Sequence, residues 1–398
     1  MSDLVRIGAA FVLIIALLRI RWNLGIVMLL ASALLGALYG IGPVAQLLAM
    51  ARAGADPVTL NLVGALVLIM VLENIIRKRG LLKQMTASLS RLARDRRISM
   101  AILPGVIGLL PSAGGAAFSA PMVQEASSGI AVSPERRAFI NYWFRHIWEY
   151  ISPLYPGIIL AAAVTRLPLN SLLLSQLPLP IAVVVIGALF CFRGVEGHAM
   201  PRGREKGDAR DLVVSLLPII ASLVLVVVFK LNLSAAMAAI VIALFAIYRY
   251  SLSEIGTAIR ESISLNVILM VFGIMAFKYM LDASGAIEAL PRFFRESGLP
   301  PVAIYVALPF VVGLLTGLTV GFVGSTFPII TAMTGGHPDA ATVTFAFASG
   351  FAGVMLSPTH LCLLLTVQYF RADLAGTYRL MYVPVLILFL VGLVRYLI

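Results

Sequence analysis

"LLPSAGGAAFSAP" (residues 109–121) lies inside an almost wholly apolar stretch, yet it carries a proline and a run of very small residues at its centre. "LLTGLTVGFVGSTFP" (residues 314–328) repeats the pattern about two hundred residues later. A helix that crosses about 30 Å of hydrocarbon needs roughly 20 apolar residues, and these interruptions leave arms too short for that. Each stretch therefore reads as a re-entrant hairpin. "AILPGVIGLL" enters, "PSAGG" turns and "AAFSAPMVQEASS" returns, while in the second copy "VAIYVALPFVVGLL" enters and the turn falls within "TGLTVGFVGST". Non-helical backbone at that depth is tolerated only where it is buried in protein or lines a wet cavity.

The composition supports this reading. Of 398 residues, 61% are hydrophobic and 12% charged, with a mean hydropathy of +1.01. Soluble domains run near 45–50% apolar and about 25% charged. The chain is therefore expected to be an all-α polytopic membrane protein. Spans are expected near 4–20, 24–40, 58–76, 136–166, 172–193, 212–230, 233–250, 264–282, 340–370 and 378–397, ten in all. The basic amphipathic window 80–98 is expected along the interface, with 285–298 as its counterpart. The first apolar stretch lacks the flanks of a cleavable signal and reads as a spanning helix.

The net charge of +12 sits at helix ends, as a topology signal requires, without the basic stripe and interleaved aromatics of a nucleic-acid surface. With the segment from Arg77 to Arg97 cytoplasmic, most Lys and Arg fall on one side and both termini face outward, the periplasmic side of an inner membrane. Cys191 and Cys362 lie in apolar helical context and support neither a disulfide framework nor a cysteine metal site.

"RGVEGHAMPRGREKGDARD" (193–211) is the only long polar stretch and divides the chain near its middle, with His198 as a solvated loop residue. The halves around it match in order. Asn23 answers Asn232, Gly80 answers Gly285, Pro121 answers Pro328, and Ser152-Pro153 answers Ser357-Pro358, at offsets between 205 and 209. Five spans per half is an odd number, so the second half must insert upside down. Inverted repeats with interruptions at equivalent places are typical of secondary transporters. The expected organisation is a first repeat over 1–192, a cytoplasmic linker over 193–211 and a second repeat over 212–398. Each repeat holds one hairpin (about 100–130 and 301–335) and one Ser-Pro-broken helix (about 136–166 and 340–370).

Candidate residues follow from chemistry. Gly114, Gly115 and Gly324 allow close approach of backbone to a ligand. Ser112, Ser119, Ser325 and Thr326 offer hydroxyls, and helix N-termini at the returning arms favour an anion. Pro153, Pro156 and Pro358 mark the helix breaks, and carbonyls freed upstream of Pro153 and Pro358 could hold Na⁺. "NYWFRHIWEYISP" places Arg145, His146 and Glu149 within a spanning segment, where ionisable residues are costly and functional by default. Arg145 could bind a carboxylate while His146 or Glu149 carries a proton. An internal Arg145–Glu149 pair that only locks the helix is the structural alternative. The substrate set is thus Ser112, Ala113, Gly114, Gly115, Ser119, Arg145, Thr319, Gly324, Ser325, Thr326, Thr359 and His360, with His146, Glu149, Ser152 and Ser357 for the coupling ion or proton.

Through 109–121, 141–157, 314–328 and 352–362 the chain resembles the ion transporter superfamily. Within it the chain looks most like the DUF401 integral membrane proteins, with the gluconate permease family as a better-known relative. The resemblance implies two inverted repeats, each with a re-entrant hairpin and a broken helix, and an elevator-like movement. It also implies a homodimer, since related scaffolds often dimerise. The dicarboxylate branch has Ser-Asn-Thr at its hairpin tips, whereas here the stretches read "PSAGG" and "GSTFP", so neither a dicarboxylate nor a defined sodium site carries over.

The expected function is secondary active transport of a small organic anion across the inner membrane, coupled to H⁺ or Na⁺. No cofactor is expected beyond Na⁺ as a coupling ion, and no nucleic acid. A cation/proton antiporter is the nearest alternative. An intramembrane enzyme is a more distant one, since no His-Glu-x-x-His, Gly-x-Ser-x-Gly or paired aspartates occur. No Walker A sequence is present to drive ATP-powered pumping.

Overall fold

The computed structural model describes residues 3–20, 22–92, 95–111, 115–195, 208–285 and 300–398. The hairpin-tip residues Ser112, Ala113 and Gly114, most of the expected linker with His198, and the expected amphipathic counterpart at 286–299 lie outside the described residues.

The described chain is all-helical. The first half runs α1 (Asp3–Arg19), α2 (Leu24–Leu38), α3 (Pro43–Ala55), α4 (Pro57–Lys78), α5 (Leu81–Leu92), α6 (Arg96–Ile107), α7 (Gly115–Ala126), α8 (Pro134–Arg145), α9 (Pro156–Thr165), α10 (Leu169–Gln176) and α11 (Pro178–Cys191). The second runs α12 (Asp208–Leu223), α13 (Leu233–Ile247), α14 (Leu252–Ser262), α15 (Leu265–Ala283), α16 (Pro301–Thr316), α17 (Thr319–Met333), α18 (Ala340–Met355), α19 (Leu361–Phe370) and α20 (Leu374–Leu397).

Local sequence fixes many of these starts. The Asn23 carboxamide accepts from the Gly25 and Ile26 amides, and Asn232 does the same for Ser234 and Ala235, so α2 and α13 open on the same cap. Asp56 and Ser133 cap α4 and α8, each with Pro as the first helical residue, where its missing N–H costs nothing. Asp95 opens α6, and its hydrogen bonds from Arg97 hold that carboxyl below the usual range.

Among the described residues, five helical stretches are long and apolar enough to cross a membrane: Pro57–Lys78, Leu169–Cys191 (α10 with α11), Asp208–Val228, Leu265–Ala283 and Leu374–Leu397. Other apolar helices, such as Leu24–Leu38, Pro301–Thr316 and Ala340–Met355, are shorter. The stretches expected at 136–166 and 340–370 are each two helices, as breaks there require. Two short helices, α3 and α14, follow α2 and α13 and do not stand out in hydropathy. α14 is marked by a Ser251/Glu254 capping box. The outside is apolar too. On α20, Tyr382, Val383, Leu386, Leu390 and Val394 are exposed, a surface suited to lipid and not to water.

Contacts between the halves come in exchanged pairs. α2 packs on α15, and α13 packs on α4; α3 lies on α15, and α14 on α4; α9 meets α17, and α19 meets α7. The α2–α15 crossing is tight because Gly25 and Gly273 touch backbone to backbone. At the matching crossing Ser234 faces Gly64 and bonds the Asn61 carbonyl at 2.7 Å. Within each half a further set matches at a spacing of 205 residues. A Cβ on Gly108 would overlap the Arg145 carbonyl oxygen, and one on Gly313 would overlap that of Gly350. α9 and α19 both end on an arginine with positive φ, Arg166 and Arg371.

Long-range polar contacts join segments assigned to the same side of the membrane by the charge pattern. Arg91 pairs with Asp208 at 2.7 Å, Lys78 with Glu261, and the Asp373 amide with Glu135 at 3.1 Å. At the other end the Tyr279 hydroxyl donates to Asp56 at 2.5 Å.

Candidate functional site

The two helix breaks face one another across a cavity of about 170 Å³. Its wall combines Arg145, His146 and Glu149 with Tyr155, Pro156 and Gly157, and from the second half Thr319, Val320, His360 and Cys362. Pro111, the last described residue before α7, completes it. The volume is roughly that of six waters at about 30 Å³ each, enough for a solute of a few heavy atoms. A wider cleft of about 490 Å³ carries Arg166 and Lys230 but nothing from the breaks.

The first break begins earlier than the Ser-Pro signal suggests. α8 ends at Arg145, His146 caps it, and Glu149 sits in a 3₁₀ turn over Ile147–Tyr150. Arg145, His146 and Glu149 therefore do not share one continuous helical face. These side chains meet instead because the chain unwinds between α8 and α9. Ser152 and Ser357 cap their own turns, accepting from the Leu154 amide at 3.3 Å and the Thr359 amide at 3.2 Å.

Arg145 is 3% exposed. Its guanidinium lies against the first residue of α7, where any side chain on Gly115 would collide with it. It also hydrogen-bonds the Tyr155 hydroxyl, which donates onward to the Gly108 carbonyl at 2.5 Å. Glu149 accepts from the Thr319 hydroxyl at 3.3 Å, at the first residue of α17, and Gly157 leaves room for the Thr319 methyl. His146 and His360 place their Nε2 atoms 3.2 Å apart. Beneath them the buried Asn141 donates to the Ala116 carbonyl at 3.1 Å and the Thr366 hydroxyl at 3.0 Å, tying α8 to α7 and α19.

Of the residues singled out in the sequence, Arg145, His146, Glu149, Pro156, Thr319 and His360 line the cavity, and Gly115 abuts Arg145. Others stand elsewhere. The second hairpin turns at Gly317 and Leu318, where Gly317 takes a positive φ, so Gly324, Ser325 and Thr326 fall inside α17 and not at its tip. Gly324 packs on Ile274 and Leu160, while Ser325 and Thr326 bond back to Gly321 and Phe322, each at 2.7 Å. Ser119 is buried one turn into α7, bonded to the Gly115 and Ala116 carbonyls. Thr359 donates to the Leu315 carbonyl at 3.2 Å. Pro153 and Pro358 stand in the breaks without lining the cavity. Tyr155 escaped the sequence reading, and Cys362, read there only as an apolar helix residue, lines the cavity. Tyr155 follows Ser152-Pro153 at the same distance as His360 follows Ser357-Pro358, a signal that could have found it.

Fold and site together define an all-helical membrane protein whose polar centre is assembled from two interrupted helices. The chain belongs to the family described as "Protein of unknown function (DUF401)", which matches residues 2–398. No curated protein matches it.

Proposed function

We propose that the protein is a secondary active transporter of a small organic anion, a carboxylate, and that the cavity between the breaks is its substrate site. One observation carries this reading: the buried Arg145 guanidinium is set against the N-terminus of α7. A helix N-terminus is a partial positive charge, and two positive ends brought together favour an anion between them. Pro156 and Thr319, the first residues of α9 and α17, and His360, the N-cap of α19, also line the cavity, adding three more such ends.

The exchanged contacts of α2 with α15 and α4 with α13, and the matching order of helices, support two inverted repeats. The repeats span 1–192 and 212–398, with re-entrant hairpins at α6–α7 and α16–α17. α2–α4 and α13–α15 then form a scaffold, against which the hairpins and broken helices move. Glu149, held by Thr319, is the group on which H⁺ or Na⁺ coupling acts. The membrane is the bacterial inner membrane, with both termini outside.

Purified protein in liposomes should take up candidate monocarboxylates saturably, with uptake collapsing when the ion gradient is removed. Glu149→Gln keeps an acceptor for Thr319 and should retain anion binding but lose stimulation by the gradient. A carboxylate in the cavity also favours a cation/proton antiporter as a second reading. That would show as proton release on adding Na⁺ with no organic solute present. Substrate turnover without any gradient would point to an enzyme and sink both.

A further inference from the structure

We propose that His146, His360 and Cys362 form a binding site for a transition metal ion of the zinc class, bridging the two helix breaks. The inference begins with the protons on the two imidazoles. His146 Nδ1 lies 2.6 Å from the Tyr142 carbonyl oxygen, and His360 Nδ1 lies 2.6 Å from the Gly317 carbonyl oxygen. A carbonyl only accepts, so each Nδ1 is the donor and carries hydrogen. In a neutral ring the Nε2 atom is then a bare lone pair. The two lone pairs face one another at 3.2 Å, and neither can donate to the other.

Two acceptors do not come to that distance without an electron-poor centre to share. A tetrahedral zinc with nitrogen ligands at about 2.0–2.1 Å sets those nitrogens roughly 3.3 Å apart, close to the spacing seen. Metal-bound histidines characteristically donate their other N–H to a backbone carbonyl or carboxylate, which fixes tautomer and ring direction. Both rings here have that support. The ring of Tyr142, 4.6 Å from that of His146 and 5.5 Å from that of His360, packs against both and holds them in place.

The third donor selects the class of ion. The Cys362 sulfur and the two histidine nitrogens lie within 4.8 Å of one another. Thiolate with imidazole suits zinc and its neighbours over calcium or magnesium, which prefer oxygen. A shared proton is the other centre that could join the two nitrogens, and it would show as no metal uptake. The nearby charges are those of Arg145 and Glu149. A dication beside Arg145 is tolerable because it binds Cys362 as thiolate, expelling the thiol proton, and because Glu149 lies on the same wall. The three donors come from His146 at the end of α8, His360 at the start of α19 and Cys362 in the first turn of α19. Binding therefore ties the first break to the second, and the fourth position opens toward the cavity.

The test uses the full-length protein in detergent, stripped with a chelator and titrated with Zn²⁺ alone, then with Co²⁺ as a spectroscopic substitute. One Zn²⁺ should bind per chain with release of one proton, and Co²⁺ should give tetrahedral visible bands with a thiolate charge-transfer band. His146→Gln and His360→Gln should each weaken binding at least 100-fold. Cys362→Ser, a small change that the fold should accept even where a histidine variant fails, should abolish the charge-transfer band and the proton release. The proposal is overturned if the unaltered protein takes up no stoichiometric metal, if both histidine variants bind as before, or if Cys362→Ser keeps the band. No organic anion is present, so these results are independent of the transport reading.

Discussion

The two helix breaks do the same mechanical job with different chemistry. Each follows a helix packed on a hairpin glycine, each turns on a Ser-Pro pair, and each restarts a short helix that ends on a left-handed arginine. At matching positions the first break carries Arg145, His146, Glu149 and Tyr155, where the second carries Gly350, Phe351, Val354 and His360. Arginine and glutamate are thus confined to one break, and the other supplies small and apolar surface with a single imidazole. The hairpins differ accordingly. The N-terminus of α17 has a resident carboxylate in Glu149, whereas that of α7 faces the guanidinium of Arg145. A repeated scaffold can hold a cavity symmetrically, but a cavity that binds a charged solute must break that symmetry in its side chains. On the proposed transport reading, the polar residues that do not match between the halves are the ones that meet the solute.

That comparison can be broken experimentally. The largest effect is expected from Arg145→Lys, which keeps the charge but loses the planar fork. Anion affinity in the liposome assay should fall about 30- to 1,000-fold, for the 2–4 kcal/mol that truncating a buried charged hydrogen-bonding group costs. Unchanged affinity would reduce Arg145 to a structural lock with Glu149. Next come Gly108→Ala and Gly313→Ala, whose added methyls meet equivalent carbonyls. Each should destabilise the protein by about 1–3 kcal/mol in a thermal or chaotrope melt. Closely similar losses would sharpen the equivalence of the halves, and a large loss at only one would break it.

Gly115→Ala separates function from stability. Its methyl meets the movable tip of Arg145, so melting should shift little while anion affinity drops about 10-fold, near 1.4 kcal/mol. If affinity holds, the guanidinium position against α7 has no part in binding. Thr319→Val should be the mildest, removing one hydrogen bond to Glu149 for about 1 kcal/mol of stability. Its effect should vanish in a Glu149→Gln background if the two side chains act as a pair.

Much of the fold was legible before any coordinates because the bilayer imposes simple rules on sequence. Hydropathy located the helices from α1 to α20 apart from α3 and α14, whose mixed polarity hides them from a span-length window. Proline and glycine marked the breaks. The turn falls at Gly317, inside the expected stretch 316–326 but upstream of the conspicuous Gly324–Thr326 cluster, and α8 unwinds at His146, ahead of Ser152-Pro153. A glycine or serine inside a helix and one in a turn look alike in sequence, since hydrogen-bond partners decide which it is.

The sequence by itself determined the all-helical membrane class and the presence of Arg145, His146 and Glu149 where charge is expensive, because burial costs and spacing are local properties of the chain. Only the tertiary structure decided that His360 and Cys362 stand beside His146, that Tyr155 reaches the Arg145 guanidinium, and that Glu149 meets Thr319. Those contacts join residues on opposite sides of a cavity, at separations no periodicity records. They exist only because two interrupted helices from different halves were folded face to face.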